Sequence, residues 1–358
     1  MLNAARKIRL LADVVDIEKD EKGHIGISIG GGAPYCTCLY IVQIFENSPA
    51  RKNGLLDVGD EIVAVNGKLL KGFEKNAVAS LIRDTKGIVR ISFNRLQFDA
   101  EMGQNLDIFM KKFKHRLVDS MDDATADALG LSRAILCNDV LAQLRSRLDH
   151  KEQFYRALVK KAEETVRCYQ QMASTQTAIG AVLAEIHARE RPLSDDGTDG
   201  IGRMAELANA HKTFGKEHWA LAQSVGELVQ ALQGHANAAI PDARQSLNRY
   251  SDAKYEYLAH CLRAKELEDE EVETAFEGGE QLQRMATGNY DYRMTLKSRE
   301  LSRANFLARR EQAAVKIELL GEKHVRELAL QLKNLIDATK AAHVACRRAG
   351  ADPVSNKQ

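Results

Sequence analysis

The chain has 358 residues, of which 44% are apolar and 28% are charged, and its formal net charge is +1. This composition predicts two or more folded domains and excludes a largely disordered chain. A near-neutral charge argues against nucleic-acid binding through bulk attraction. We find no apolar run long enough for a transmembrane helix and no secretory signal. Six cysteines in a chain of this length favour reduced thiols in a cytoplasmic protein.

The first quarter of the chain has the pattern of a small mixed domain. Short apolar or β-branched runs alternate with glycine, and Asn66-Gly67 is a strong turn signal. Between the last two runs, apolar residues recur at helical spacing. We therefore predict a small α+β domain with strands at 26–30, 39–45, 61–65 and 88–93 and a helix over 74–84.

The rest of the chain predicts long helices, because proline is scarce and apolar residues recur in heptads. Breaks at 191–197 and 278–279 separate three segments, and Pro241 should kink the second. The apolar heptad positions form a seam along these helices that is too extended for one chain to bury, which predicts a dimer. The heptad positions are Tyr155, Val159, Ala162, Val166, Tyr169 and Ala173, then Leu221, Val225, Leu228 and Leu232, then Val325, Leu328, Leu332 and Leu335.

No enzyme motif is found in the sequence. The run Gly30-Gly31-Gly32 is not followed by the Lys-Ser or Lys-Thr of a phosphate loop, and Tyr35 occupies the third glycine position of a dinucleotide motif. Neither a nucleophile elbow nor a zinc-protease His pair occurs, and the ten histidines are scattered. We therefore expect a non-enzymatic protein; a buried Ser/His/Asp or Cys/His cluster would favour the enzyme alternative.

Two segments of the first domain carry a specific pattern. His24-Ile25-Gly26-Ile27 precedes a strand, and Asp57-Val58-Gly59-Asp60-Glu61-Ile62 is followed by Val65-Asn66-Gly67. Together they resemble the signatures of PDZ domains. The resemblance implies that backbone N–H groups hold the C-terminal carboxylate of a peptide, which adds a strand to the sheet edge. The alternative is that these residues form only the core of a small sheet.

The PDZ resemblance also places side chains around the peptide. It puts Lys75 at the first ligand-facing position of the helix, where PDZ domains that select Ser or Thr have a histidine. Lysine can only donate hydrogen bonds, so it cannot accept one from the peptide hydroxyl as a neutral histidine does. We therefore expect a hydrophobic residue two positions before the peptide C-terminus, with some tolerance of Ser or Thr. The predicted peptide-binding residues are Ile25, Gly26, Ile27, Ser28, Ile29, Lys75, Val78, Ala79 and Ile82.

Two nearby cysteines invite a metal-site hypothesis. Cys36 and Cys38 could supply half of a zinc site, but a tetrahedral site needs four ligands and no second pair is close in sequence. The alternative is a pair of exposed thiols in a loop. We expect no required cofactor.

The helical part carries a second resemblance. Segments 125–139, 239–242, 254–258 and 288–293 resemble the arfaptin-homology BAR domain. The resemblance implies an elongated three-helix domain that forms an antiparallel homodimer and binds curved anionic membranes. The predicted architecture is an N-terminal extension (1–11), a PDZ domain (12–97), a linker with an amphipathic helix (98–133), the BAR domain (134–347) and a C-terminal tail (348–358).

The order of the two domains resembles that of a known family of scaffold proteins, and this resemblance implies a set of partners. It would bind the C-terminal tails of membrane receptors, transporters and protein kinase C, and it would contact actin regulators. The resemblance implies a role in receptor trafficking and endocytosis, at vesicles, the plasma membrane, the perinuclear Golgi region and, in neurons, the synapse. The competing hypothesis is a lipid-independent adaptor that binds a small GTPase or a coiled-coil partner.

Two sets of residues are predicted to bind lipid. The linker segment 106–117 is a basic amphipathic helix of the membrane-surface type, although its apolar face could instead pack on the helical bundle. The second set matches basic positions of the BAR family, and it requires the acidic run 266–277 to face elsewhere. The predicted residues are Phe109, Lys111, Lys112, Phe113, Lys114 and Arg116, then Arg249, Lys254, Arg263 and Lys265.

Overall fold

The computed structural model of the chain describes residues 9–34, 36–98, 105–120, 140–190, 198–277 and 288–351. It separates into two compact units, one formed by residues 1–138 and 249–310 and the other by residues 139–248 and 311–358. The motif at 125–139, both predicted helix breaks, the linker beyond residue 120 and the tail after residue 351 lie outside the described residues.

The sheet domain of the first unit is antiparallel throughout. Its six strands are β1 (Arg9–Glu18), β2 (Ile27–Gly31), β3 (Leu39–Ile44), β4 (Glu61–Val65), β5 (Lys68–Leu69) and β6 (Ile88–Gln97), in the order β1-β6-β4-β3-β2 with β5 on β4. Helices α1 (Pro49–Asn53) and α2 (Lys75–Asp84) complete the domain. The strand β1 begins three residues before the predicted domain boundary at residue 12.

The core of this domain forms because alternate residues of each strand point to the same face. Val15 faces Ile91 and Ile17 faces Val89 across the β1–β6 pair, and all four are buried. Val78 of α2 packs into the same cluster. The small α+β domain predicted from the sequence is thus confirmed.

Long helices follow the sheet domain, as predicted. They are α3 (Leu106–Ser120), α4 (Val140–Glu190), α5 (Thr198–Gly234), α6 (Ile240–Glu277) and α7 (Tyr290–Ala351), with a π-helical turn at His235–Ala239 between α5 and α6. Pro241 lies two residues after the end of the π turn. Because proline has no backbone N–H, it interrupts the regular hydrogen-bond ladder of the helix at this point. Within the described ranges, no helix is long and apolar enough to cross a membrane.

In the second unit, α4 and α5 pack closely along their length. Glycines permit the approach: a Cβ at Gly215 would lie 2.3 Å from Thr177 Oγ1, and one at Gly180 would lie 2.9 Å from the Ala208 carbonyl. The heptad positions Leu221, Val225, Leu228 and Leu232 of α5 are all buried, whereas Val325 of α7 is 64% exposed.

In the first unit, α6 and α7 pack on one side of the sheet domain. Tyr292 meets Tyr40 edge to face with ring centroids 5.9 Å apart, and Leu267 and Leu296 join the same buried cluster. Arg293 is completely buried, and its Nε donates to the Gly59 carbonyl at 2.8 Å. Buried apolar residues of the sheet domain therefore form two clusters. One is the core of the domain, and the other is its interface with α6 and α7.

A buried histidine in α6 makes the first unit sensitive to pH. Burial lowers the pKa of His260, and its Nδ1 has no hydrogen-bond partner among the described residues. Because the folded pKa lies below the unfolded value of about 6.5, stability is highest above that pH and falls as the pH drops toward the folded pKa. Between pH 7 and pH 5.5 we expect a loss of about 1 kcal/mol from this group.

Urea unfolding at the two pH values tests this expectation. The variant His260→Leu removes the titrating group, so its stability should fall less than that of the unmodified chain over the same interval. An equal fall in both proteins would assign the pH dependence to other groups.

Candidate functional site

A groove opens between the edge of β2 and helix α2. It encloses about 760 Å³. Eight of the nine residues predicted to contact a peptide line it, together with residues that the sequence analysis did not select. The predicted members are Ile25, Gly26, Ile27, Ser28, Ile29, Lys75, Ala79 and Ile82, and the others include Asp20, Lys22, His24, Glu46, Asn47, Ser48, Asn76 and Arg83.

Val78 differs from the sequence expectation. It is fully buried in the domain core and does not line the groove. The reason is helical geometry, since Lys75 and Ala79 are four residues apart and share one face, while Val78 is rotated toward the sheet. Ile82 lies at the boundary and belongs to both the groove and the core.

The loop before β2 directs backbone donors into this groove. The carbonyl of Ile25 accepts from the Ala50 N–H and that of Gly26 accepts from the Phe45 N–H, each at 3.0 Å. In a planar trans peptide the carbonyl and the following N–H point in opposite directions. The N–H groups of Gly26 and Ile27 therefore point away from the Ala50 and Phe45 N–H groups, and because both residues line the groove we expect these donors to face it, where they can hold an anion.

Only glycine fits at the centre of this loop. Gly26 has φ of 80°, and a Cβ there would lie 2.1 Å from the Ser48 Cβ. The turn just before it is closed by Asp20, whose Oδ1 accepts from the His24 N–H at 2.7 Å and the Lys22 N–H at 3.0 Å. These hydrogen bonds hold the pKa of Asp20 below its usual value, so the carboxylate stays charged.

A lysine ties this loop to the other wall of the groove. Lys19 Nζ donates to the carbonyls of Arg83 and Thr85, at 2.8 and 2.5 Å, at the C-terminal end of α2. The two walls are thus connected at the end where the donors converge. Since β2 is also a terminal strand of the sheet, the groove can accept an extended peptide as an added strand.

The two cysteines proposed as half of a zinc site lie side by side in an apolar cluster. Both thiols are buried rather than exposed, their Sγ atoms lie 3.2 Å apart, and they pack with Val58, Tyr292 and Leu296. The hydrogen bond with Cys36 and burial raise the pKa of the Cys38 thiol, which opposes the thiolate that zinc requires. Among the residues that the structure describes, we find no group of three His, Cys, Asp or Glu side chains placed to hold a metal ion.

The amphipathic helix α3 exposes the apolar face predicted from the sequence and directs part of its basic side to α6. Phe109 and Phe113 are 63% and 53% exposed, so the alternative in which this face packs on the bundle is not what the structure has. Lys111 pairs with Glu266 at 2.9 Å and Lys112 with Glu256 at 3.4 Å. Arg116 pairs with Asp252, and Lys114 is exposed.

The predicted basic residues of α6 have different surroundings. Arg263 lies near Asp107, Glu266 and Glu270 at 3.5–3.8 Å, so the acidic run does not face away from it as the lipid hypothesis required. Lys254 is half-buried, whereas Arg249 and Lys265 are exposed. The structure therefore does not bring all four cations to one open face.

A groove beside a terminal strand of a small sheet domain, followed by long helices, is the arrangement expected of a PDZ domain joined to an arfaptin-like domain. The PDZ domain family matches residues 14–93, and the Arfaptin-like domain family matches residues 109–349. Both domains are of the scaffold and binding type. The PRKCA-binding protein of Homo sapiens is 41% identical over 93% of this chain and 79% of that protein, and the one of Mus musculus is 40% identical over 93% and 78%.

A solved PDZ domain, the second of Dlg1 from the choanoflagellate Monosiga brevicollis, is 20% identical and covers 23% of this chain and 96% of that chain, with a TM-score of 0.22. The chain belongs to the PRKCA-binding protein family. The family resemblance and the predicted fold class, a small sheet domain followed by a predominantly helical arfaptin-like region, are therefore confirmed, and the antiparallel dimer stays a prediction.

Proposed function

We propose that this chain is a non-enzymatic, dimeric scaffold that captures C-terminal tails and binds membranes. The groove between β2 and α2 carries this proposal, because two backbone donors converge beside an open strand edge. The ligands would be the tails of membrane receptors, transporters and protein kinase C. Lys75 lines the groove, and its ammonium group can only donate hydrogen bonds. Because it cannot accept a hydrogen bond from a Ser or Thr hydroxyl, we expect a hydrophobic residue two positions before the peptide C-terminus.

A peptide array tests the groove directly. Full-length protein is applied to hydrophobic C-terminal peptides and to the same sequences placed internally in a longer chain. The proposal predicts binding to the free C-termini. A preference for the internal sequences would overturn it.

Helix α3 supports the membrane-binding part of the proposal. Its phenylalanines are exposed beside basic residues, as in helices that lie in the membrane interface. On an anionic surface, Lys111, Lys112 and Arg116 would exchange their carboxylate partners for lipid phosphates. Lys114, Arg249 and Lys265 are exposed and need no such exchange.

Phe113→Glu is expected to weaken binding to anionic liposomes about tenfold or more, because a buried phenylalanine contributes about 2 kcal/mol and a carboxylate is repelled by the surface. Cosedimentation at low and high salt, with vesicles of two diameters, measures the loss and the curvature preference. Leu69→Glu, an exposed apolar position of the sheet domain, is the matched control. Unchanged binding by a folded Phe113→Glu variant would favour the lipid-independent adaptor that binds a small GTPase or a coiled-coil partner.

Exposed apolar residues of helix α7 support dimer formation. Val325, Leu330 and Ile336 of α7 are exposed apolar residues, and Val325 and Leu332 belong to its predicted heptad seam. A second copy of the chain would cover them. A dimer presents two grooves, so clustered tails would be held with increased effective concentration. Such a scaffold would act at the cytoplasmic face of vesicles, the plasma membrane, the Golgi region and synapses, in trafficking and endocytosis with actin regulators.

A further inference from the structure

The wall of the groove opposite α2 is built partly from the segment that follows β3. Glu46, Asn47 and Ser48 of this segment line the cavity. The same segment supports the loop before β2, because the Phe45 and Ala50 N–H groups donate to its carbonyls and Ser48 packs on Gly26. A contact that acts on this segment therefore acts on the end of the groove where the peptide terminates.

Helix α7 makes such a contact within the first unit. Arg303 Nη2 donates to Glu46 Oε1 at 2.5 Å, and Glu300 Oε1 lies 3.6 Å from both Arg303 and Arg51. Two cations and two carboxylates thus alternate in a row of ion pairs that ends at Glu46, the member that lines the groove, and their charges cancel. Without Arg303, Glu46 would be an exposed and unpaired carboxylate at the rim.

We infer that Arg303 of α7 sets the charge preference of the groove for the penultimate residue of the peptide. The inference rests on the proposed peptide-binding function. Side chains of an extended peptide alternate in direction. When the last side chain enters the apolar pocket at Ile25, Ile27 and Ile82, the penultimate one points to the opposite wall, where Glu46 lies.

The consequence is that the helical part of the chain participates in peptide recognition. With Arg303 in place, the rim is neutral and gives a basic penultimate residue no advantage. With Arg303 neutralised, Glu46 attracts a basic residue and repels an acidic one. Arg303 is therefore a specificity-determining residue that acts through Glu46 and lies outside the PDZ domain.

The test uses the full-length chain and two fluorescent peptides with the same hydrophobic C-terminal sequence, which differ only in Lys or Glu at the penultimate position. Fluorescence anisotropy at low ionic strength gives the ratio of the two affinities. Arg303→Gln is expected to raise the Lys-to-Glu ratio about two- to fivefold, the range of an exposed ion pair. Arg303→Lys should keep the ratio of the unmodified chain.

Two further variants separate specificity from folding. Arg310→Gln removes the same charge two turns along the same helix and should leave the ratio unchanged. Adding Glu46→Gln to Arg303→Gln should return the ratio to its original value, because the shift requires the unpaired carboxylate. A ratio that is unchanged in Arg303→Gln overturns the inference while the groove stands. If the unmodified chain binds neither peptide, the proposed function and the inference both fail.

Discussion

Replacing Arg293 with alanine is expected to destabilise the first unit by about 3 kcal/mol. The side chain is completely buried, and its Nε donates to the Gly59 carbonyl at 2.8 Å. Its guanidinium also lies 5.2 Å from the centre of the Tyr290 ring. Truncation removes this packing, leaves a cavity and strips the Gly59 carbonyl of a partner, each of which costs free energy.

Chemical unfolding of the full-length chain, followed by circular dichroism, measures this loss. Arg293→Met keeps much of the volume without the hydrogen bond, so its cost should lie between those of the alanine variant and the unmodified chain. Arg310→Ala, an exposed arginine of the same helix, should change stability by less than about 0.5 kcal/mol. A loss below about 1 kcal/mol in Arg293→Ala would contradict the role assigned to its packing.

The importance of Arg293 could not be predicted from the sequence. Its partner Gly59 is 234 residues away along the chain, and an arginine in a helix is normally exposed. The segment 288–293 was selected only because it resembles the start of a family helix. The same holds for Arg303, because nothing in its local sequence indicates Glu46. Contacts of this kind depend on how the helices lie against the sheet, which periodicity does not specify.

The sequence predicted a strand or helix correctly where its formation depends mainly on the residues of that element. The strands β2, β3, β4 and β6 and the helix α2 were predicted from apolar runs and spacing. The strand β1 was not predicted, because Leu10, Leu11 and Ala12 follow one another without alternation and only Val15 and Ile17 near its end alternate with polar residues. Its position depends on pairing with β6 rather than on its own pattern.

The charged residues show the same limit. The basic side of α3 was predicted correctly as a pattern, but Lys112 pairs with Glu256, which is 144 residues away. A list of cations in a sequence does not show which of them already have carboxylate partners. The residues that line the groove between β2 and α2 were easier to predict, since most of them come from one loop, one strand and one helix face.

Conversion of the peptide's terminal carboxylate to a carboxamide is expected to weaken binding about 10- to 100-fold. The Gly26 and Ile27 N–H groups point into the groove, and a carboxylate accepts from both with the added strength of its charge. Hydrogen bonds to a charged group contribute about 1.5–3 kcal/mol, which corresponds to this range. The amide also places its own N–H donors against backbone donors.

Fluorescence anisotropy with the full-length chain and matched peptides measures the effect. Acetylation of the peptide N-terminus changes the terminal charge at the other end and serves as the control, with less than a twofold change expected beyond about one Debye length, roughly 8–10 Å. Because Lys22 and Arg83 also line the groove, the carboxylate form should lose more affinity than the amide form as salt rises. Equal affinity of the two forms would mean that the loop does not bind a carboxylate, and the groove would then accept internal segments through strand pairing alone.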